Sequence, residues 1–176
     1  MQRGWLDLSH IKIISITEKE AEALYLQPGD VLMNEGGDRD KLGRGWVWNG
    51  EVPRCIHQNH VFRLRPRTKV IPSRFISYYA NEFGQSYFFR EGKQTTNLAS
   101  LSMTKVSELP IPIAPPEEMG LIVDLIEEAF TKVDRIAAES DKARHLIERL
   151  DQATLTKAFR GELVPDDQEP RGSCTP

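Results

Sequence analysis

Nine residues carry the clearest chemistry that this sequence offers: Arg39, Lys41, Arg44, Arg63, Arg65, Lys93, Gln94, Thr96 and Asn97. An arginine fork matches the acceptor edge of guanine, and a side-chain amide matches adenine. Ammonium and hydroxyl groups suit phosphates, Thr95 and Thr96 among them. The set lies in a locally basic stretch. Residues 36–95 hold 11 Lys and Arg against 5 Asp and Glu, whereas the chain as a whole has 23 against 26, a net charge of -3. A basic middle between acidic ends predicts an anionic partner for the middle alone. Phosphate-driven binding through about six contacts would fall about 10³-fold between 50 and 200 mM salt.

Other chemistries fit the residues less well. Gly36-Gly37-Asp38 through Gly45 is glycine-rich, but it lacks the Gly-Lys-Ser/Thr entry into a helix that a nucleotide-binding loop requires. Close approach to a nucleic-acid backbone suits it better. Cys55, His57 and His60 have a metal-like spacing without a second ligand cluster to close a zinc site. Asp38 and Asp40 sit among Arg39, Lys41 and Arg44, and self-neutralisation explains them more simply than two-metal phosphodiester chemistry. No loop for a methyl donor and no Asn-Pro-Pro-aromatic stretch is present. The residues therefore predict a binding protein, not an enzyme, with no cofactor and no metal.

The elements that would position these residues divide the chain in three: a globular part over 1–115, a long helix over 116–161, and a polar, proline-containing tail over 162–176 expected to be disordered. The fold class predicted is α+β, a mixed β-rich domain followed by a coiled-coil-like helix. Leu26 to Asp30 reads as a turn, Val31-Leu32-Met33 as a strand, and Trp46-Val47-Trp48 as another, with Asn49-Gly50 as a hairpin signal. In His60–Arg65, Phe62 and Leu64 fall on one strand face, and Arg63 and Arg65 on the other. Ser73 is a candidate N-cap for a helix with the apolar stripe Phe75, Ile76, Tyr79, Ala80 and Phe83, and Gly84 is its natural stop. Phe62 and Tyr79 are read as core. Leu109 to Pro116 reads as an extended connector or an edge strand. No run of apolar residues is long enough for a membrane span, and Cys55 and Cys174 cannot build a disulfide framework, so a cytoplasmic protein is expected.

From Pro116 the pattern changes. Steps of four and three from Ile122 pass through Ile126, Ala129, Val133, Ile136, Ser140, Ala143, Ile147 and Leu150, and all but Ser140 are apolar. That 3.5-residue period is a coiled-coil seam, with Ile122, Ile126, Val133, Ile136, Ile147 and Leu150 as its pairing residues. A helix of about 45 residues spans about 65 Å, more than an ordinary domain, so its far part needs a partner helix.

Two segments then become specific together. LQPGDVLMNEGGDRDKLGRGWVWNGEVPRCIHQNHVFRLRP resembles the target-recognition domain of the specificity (S) subunit of type I restriction–modification enzymes. KQTTNLASLSMTKVSELPIPIAPPEE, followed by a long helix and KAFRGEL, resembles the end of that domain and the family's spacer helix. The resemblance implies a non-catalytic subunit that reads half of a split site in double-stranded DNA. A modification subunit would methylate adenine and a restriction subunit would cleave. The helix would pair antiparallel with a second S segment or with a second copy of this chain. A full S subunit has two domains and two helices, and family domains begin with a further helix and strand. The chain is thus expected to be short at its N-terminus, half of an S subunit or the remnant of one. Outside the family, the reading would be a coiled-coil scaffold with a protein-binding globular part.

Overall fold

In the computed structural model, residues 1, 3–68, 70–94 and 98–163 are described. The class is mixed, as expected. About 49% of the chain is helix and 13% strand, the strands forming small antiparallel sheets. By internal contacts the chain divides into one unit of Met1–Leu125 and another of Ile126–Pro176.

In the first unit, Gln27-Pro28-Gly29-Asp30 forms the expected turn. Asp30 N donates to Gln27 O at 3.0 Å, and Gly29 takes φ +94°, a value that glycine reaches without a Cβ penalty. The turn launches β1 (Val31–Asn34), whose first three residues are all buried. They are buried because β1 is the centre of a three-stranded sheet. β3 (Gly45–Val47) and β4 (Val61–Leu64) flank it, both antiparallel. Val31, Met33, Val47 and Phe62 meet Ile76, Ala80 and Phe88 in the main core. Phe62 is buried, as expected, and Tyr79 is half-buried.

The hairpin expected at Asn49-Gly50 does not form. The chain does turn there, with Asn49 N and Nδ2 donating to the Glu51 carboxylate at 3.0 and 2.8 Å. β4, however, pairs with the far side of β1 and not with β3.

Helix α2 (Ser73–Glu82) begins one residue earlier than a Ser73 cap would place it. Pro72 is the N-cap, and Ser73 Oγ instead donates to Gly29 O at 2.6 Å, tying the helix to the turn. Gly84 does not end the helical run. It opens α3 (Gly84–Glu91), and Phe83, at the joint, is left exposed and stacked on Tyr79 at 5.5 Å. Asn81 of α2 reaches the outer edge of β3: its Oδ1 accepts from Gly45 N at 3.1 Å, and its Nδ2 donates to Gly45 O at 2.8 Å.

The sequence reading did not anticipate α1 (Glu18–Leu24), which is started by a reciprocal Thr17–Glu20 capping box. It also missed α4 (Met103–Ser107), capped by Ser102. The long helix α5 runs Pro116–Phe159, with Pro116 at its first position and Glu117 and Glu118 in its first turn. Met119 and Val123 pack on Phe75, so the start of α5 shares the first unit's core. The tail from residue 164 lies outside the described residues.

Candidate nucleic-acid interface

The loop 35–45 is more ordered than a glycine-rich connector. Gly36-Gly37 forms β2, which pairs with β6 (Ala99–Ser100), and β6 pairs on its other side with β5 (Lys93–Gln94). A 3-10 turn, Arg39–Lys41, follows β2. Residues more than fifty positions apart thus come together.

Arg39 is the best-placed of the basic residues. Its Nε donates to Phe89 O at 3.0 Å, its NH1 donates to Gln94 Oε1 at 3.4 Å, and its guanidinium lies 4.3 Å from the centre of the Phe89 ring. Phe89 lies in the last turn of α3, so its carbonyl is among those that the helix itself leaves without a partner. A cation there also suits the negative end of the helix dipole. Two further side chains, Arg3 and Gln85, donate to the carbonyl of Asp40 at 3.3 Å, fixing the turn from outside. Neither was singled out from the sequence.

The loop carboxylates neutralise their neighbours. Lys41 pairs with Asp38, and this hydrogen bond holds the Asp38 carboxyl below the usual carboxylate range. Arg44 lies 3.9 Å from Asp40. Lys93 and Gln94 are both exposed, but as consecutive strand residues they point to opposite faces of the small sheet. Thr96 and Asn97, with Thr95, lie outside the described residues.

Arg63 and Arg65 have internal partners. Arg63 NH1 donates to Ala23 O at 3.1 Å and to Tyr25 O at 3.0 Å, at the C-terminal end of α1. Arg65 makes a fork on Asp30, Nε to Oδ1 and NH2 to Oδ2, both at 2.7 Å, and NH2 also reaches Tyr25 O at 2.9 Å. Asp30 is 1% exposed and also accepts from Gln27 N at 2.8 Å. The hydrogen bond to Asp30 raises the Arg65 pKa further above its ordinary value. These arginines bind α1 and the first turn to β4.

His57 ties down its own turn, its Nδ1 lying 3.0 Å from Val61 O, and His60 joins that turn to the residue after β1, its Nδ1 lying 2.9 Å from a Glu35 carboxylate oxygen. Among the described residues, no group of three or more His, Cys, Asp and Glu gathers to hold a metal ion, and no helix is long and apolar enough to cross a membrane.

The seam of α5 changes character along its length. Ile122 and Ile126 are half-buried, and Ile122 packs beside Met119 and Val123. Val133, Ile136, Ile147 and Leu150 are 58–66% exposed, a row of large apolar side chains that the described residues leave uncovered. Ion pairs such as Lys132–Glu128 and Arg135–Glu139, four residues apart, support the helix.

Comparison with known proteins agrees with the resemblance. No family model matches the chain. The chain is 31% identical over 156 residues to the type I restriction enzyme StySPI specificity subunit of Salmonella potsdam, covering 86% of this chain and 33% of that protein. It is 24% identical over 166 residues to the EcoKI specificity subunit of Escherichia coli strain K12, covering 93% and 36%. It is 27% identical over 166 residues to the EcoBI specificity subunit of Escherichia coli, covering 92% and 33%. The chain spans about a third of the length of each of these relatives. On these matches the chain is related, over nearly its whole length, to the specificity subunits of type I restriction enzymes.

Proposed function

We propose that this chain is a DNA-recognition module of a type I restriction–modification complex. The observation that carries the reading is the conjunction of its kinship with an ordered basic loop beside β5 and a long helix whose apolar seam is exposed at Val133, Ile136, Ile147 and Leu150. The first unit reads one half of a split duplex site. Arg39, Lys41, Arg44 and Lys93 engage phosphates and base edges, and Thr96 and Asn97, outside the described residues, are assigned to the same role on chemistry alone. Arg63 and Arg65 act indirectly, by holding the scaffold. The chain does no chemistry itself. A modification subunit methylates adenine, and a restriction subunit cleaves, in the cytoplasm where the host DNA lies.

The seam from Ile122 to Leu150 pairs with a second S segment or with a second copy of the chain. Charge favours an antiparallel arrangement. Residues 116–140 carry seven acidic and two basic side chains, whereas 141–160 carry three acidic and five basic. Antiparallel copies set the acidic half against the basic half, which electrostatic complementarity favours.

The test is co-expression with a cognate modification subunit and mapping of methylated adenine. Wild-type chain is expected to produce a new split motif, symmetric if two copies pair. Ile136→Asp places a charge on the seam and is expected to abolish the methylation while leaving the urea midpoint of the first unit unchanged. No new motif, with both chains expressed, would overturn the reading.

Salt separates this function from a protein-binding scaffold. With three phosphate contacts instead of six, affinity for duplex DNA is expected to fall about 40-fold between 50 and 200 mM salt. Titration by fluorescence anisotropy measures it, and an affinity flat with salt would favour the scaffold.

A further inference from the structure

Resting on the DNA-recognition reading, we propose that Arg39 and Gln94 act as one unit and read guanine in the major groove. An arginine has no hydrogen-bond acceptor. The atom of Gln94 that faces it at 3.4 Å is therefore the amide oxygen, Oε1. That contact changes what Gln94 offers a ligand. A free glutamine amide presents an acceptor beside a donor, the pattern that matches adenine. With Oε1 turned to Arg39, the end of Gln94 left for a ligand is its NH2 group, a donor only.

Arg39 is constrained in the same sense. Its Nε is committed to Phe89 O at 3.0 Å and its guanidinium carbon lies 4.3 Å from the Phe89 ring centre. The fork keeps only its NH1 and NH2 ends for a ligand, and these too are donors. The pair thus forms a continuous donor surface, held by a backbone carbonyl and an aromatic face. The hydrogen bond and the cation–π contact reduce the rotamer freedom that Arg39 would lose on binding.

Of the four bases, guanine alone presents two adjacent acceptors, N7 and O6, in the major groove. Adenine presents N7 beside a donating N6 amino group, which a donor-only surface cannot satisfy. Cytosine presents a donor, and thymine a single acceptor beside a methyl group. Lys93 lies on the opposite face of the small sheet and is not part of the unit.

Arg39 also caps α3, so its removal would confuse folding with reading. Gln94 is exposed and carries the test. Gln94→Met removes the amide without adding charge. Gln94→Glu keeps a partner for Arg39 but replaces the donor by a carboxylate. The full chain and both variants are used to select from a library of random duplexes at 50 mM salt, and the selected sequences are compared.

Wild-type chain is expected to enrich a motif in which one guanine is favoured over adenine by about fivefold or more. Both variants should lose that preference at this one position and keep the others. A purely structural Gln94 would leave the base preferences of both variants unchanged, and that result overturns the proposal while DNA recognition stands. A motif in which the position that relaxes is adenine overturns it as well. Failure of the wild-type chain to enrich any motif sinks the DNA reading, and this proposal with it.

Discussion

Gly45→Ala is expected to destroy the central sheet. A Cβ at Gly45 would lie 1.6 Å from Leu32 O, 2.7 Å from Leu32 C and 2.9 Å from Met33 Cα. All three are backbone atoms of β1, the strand on which both flanking strands are built. No rotamer change relieves such a clash, so β3 must separate from β1. The loss includes the β1–β3 ladder and the seating of Trp46, which is 8% exposed. Overpacking of this kind costs more than about 3 kcal/mol, a large part of an ordinary domain's stability. The near-ultraviolet circular dichroism of the tryptophans should collapse while the helical signal of α5 persists. A G45A chain with wild-type signal and urea midpoint would show that the strands can part at little cost.

The second large effect is expected at Arg65→Met. Removing the fork leaves the Asp30 carboxylate, 1% exposed, with the Gln27 backbone amide as its only donor among the described residues. Stranding a buried charge costs about 3–5 kcal/mol, and the low end applies because the Arg65 side chain is 38% exposed and water can take its place. Urea denaturation should show this loss directly. Adding Asp30→Asn to Arg65→Met removes the stranded charge and should recover part of the stability, which a double-mutant cycle quantifies. Had Arg65 been a phosphate contact, its loss would weaken DNA binding and leave the midpoint alone. Arg65→Lys should fall between, since an ammonium cannot reproduce the bidentate geometry.

Arg65 also shows how far the sequence carries. Alternation correctly placed Phe62 inside and Arg63 on the other face of β4, with Arg65 just past the strand's end. It did not show that a carboxylate 35 positions away and the carbonyls of Ala23 and Tyr25 would claim the two guanidinium groups. Patterns that are local were legible for that reason: the Pro28-Gly29 turn, β1, the apolar face of α2, and the start of α5 at Pro116. What depends on distant pairing was not. Asn49-Gly50 is a turn in either topology, and only the choice of β1 as partner for β4 decides against the hairpin. Gly36-Gly37 is two residues long and becomes a strand only because Ala99-Ser100 lies beside it. The same holds for the site. Arg39 and Gln94 were both named on chemistry, but the contact that turns the Gln94 amide oxygen to Arg39 joins residues 55 positions apart and left no local signal.

The hydrogen bonds from Asn81 to both backbone groups of Gly45 have a consequence for what can add to this sheet. An edge strand ordinarily offers its free amides and carbonyls as a template on which another chain can add. On β3 that place is filled at Gly45 by a side chain that imitates the missing strand, donating and accepting at once. The sheet is therefore closed to extension at this point, and a neighbour that tried to dock there would have to displace an amide already paired on both sides. Strand addition at this edge is disfavoured, and a chain that docks here must rely on side-chain packing in place of backbone pairing.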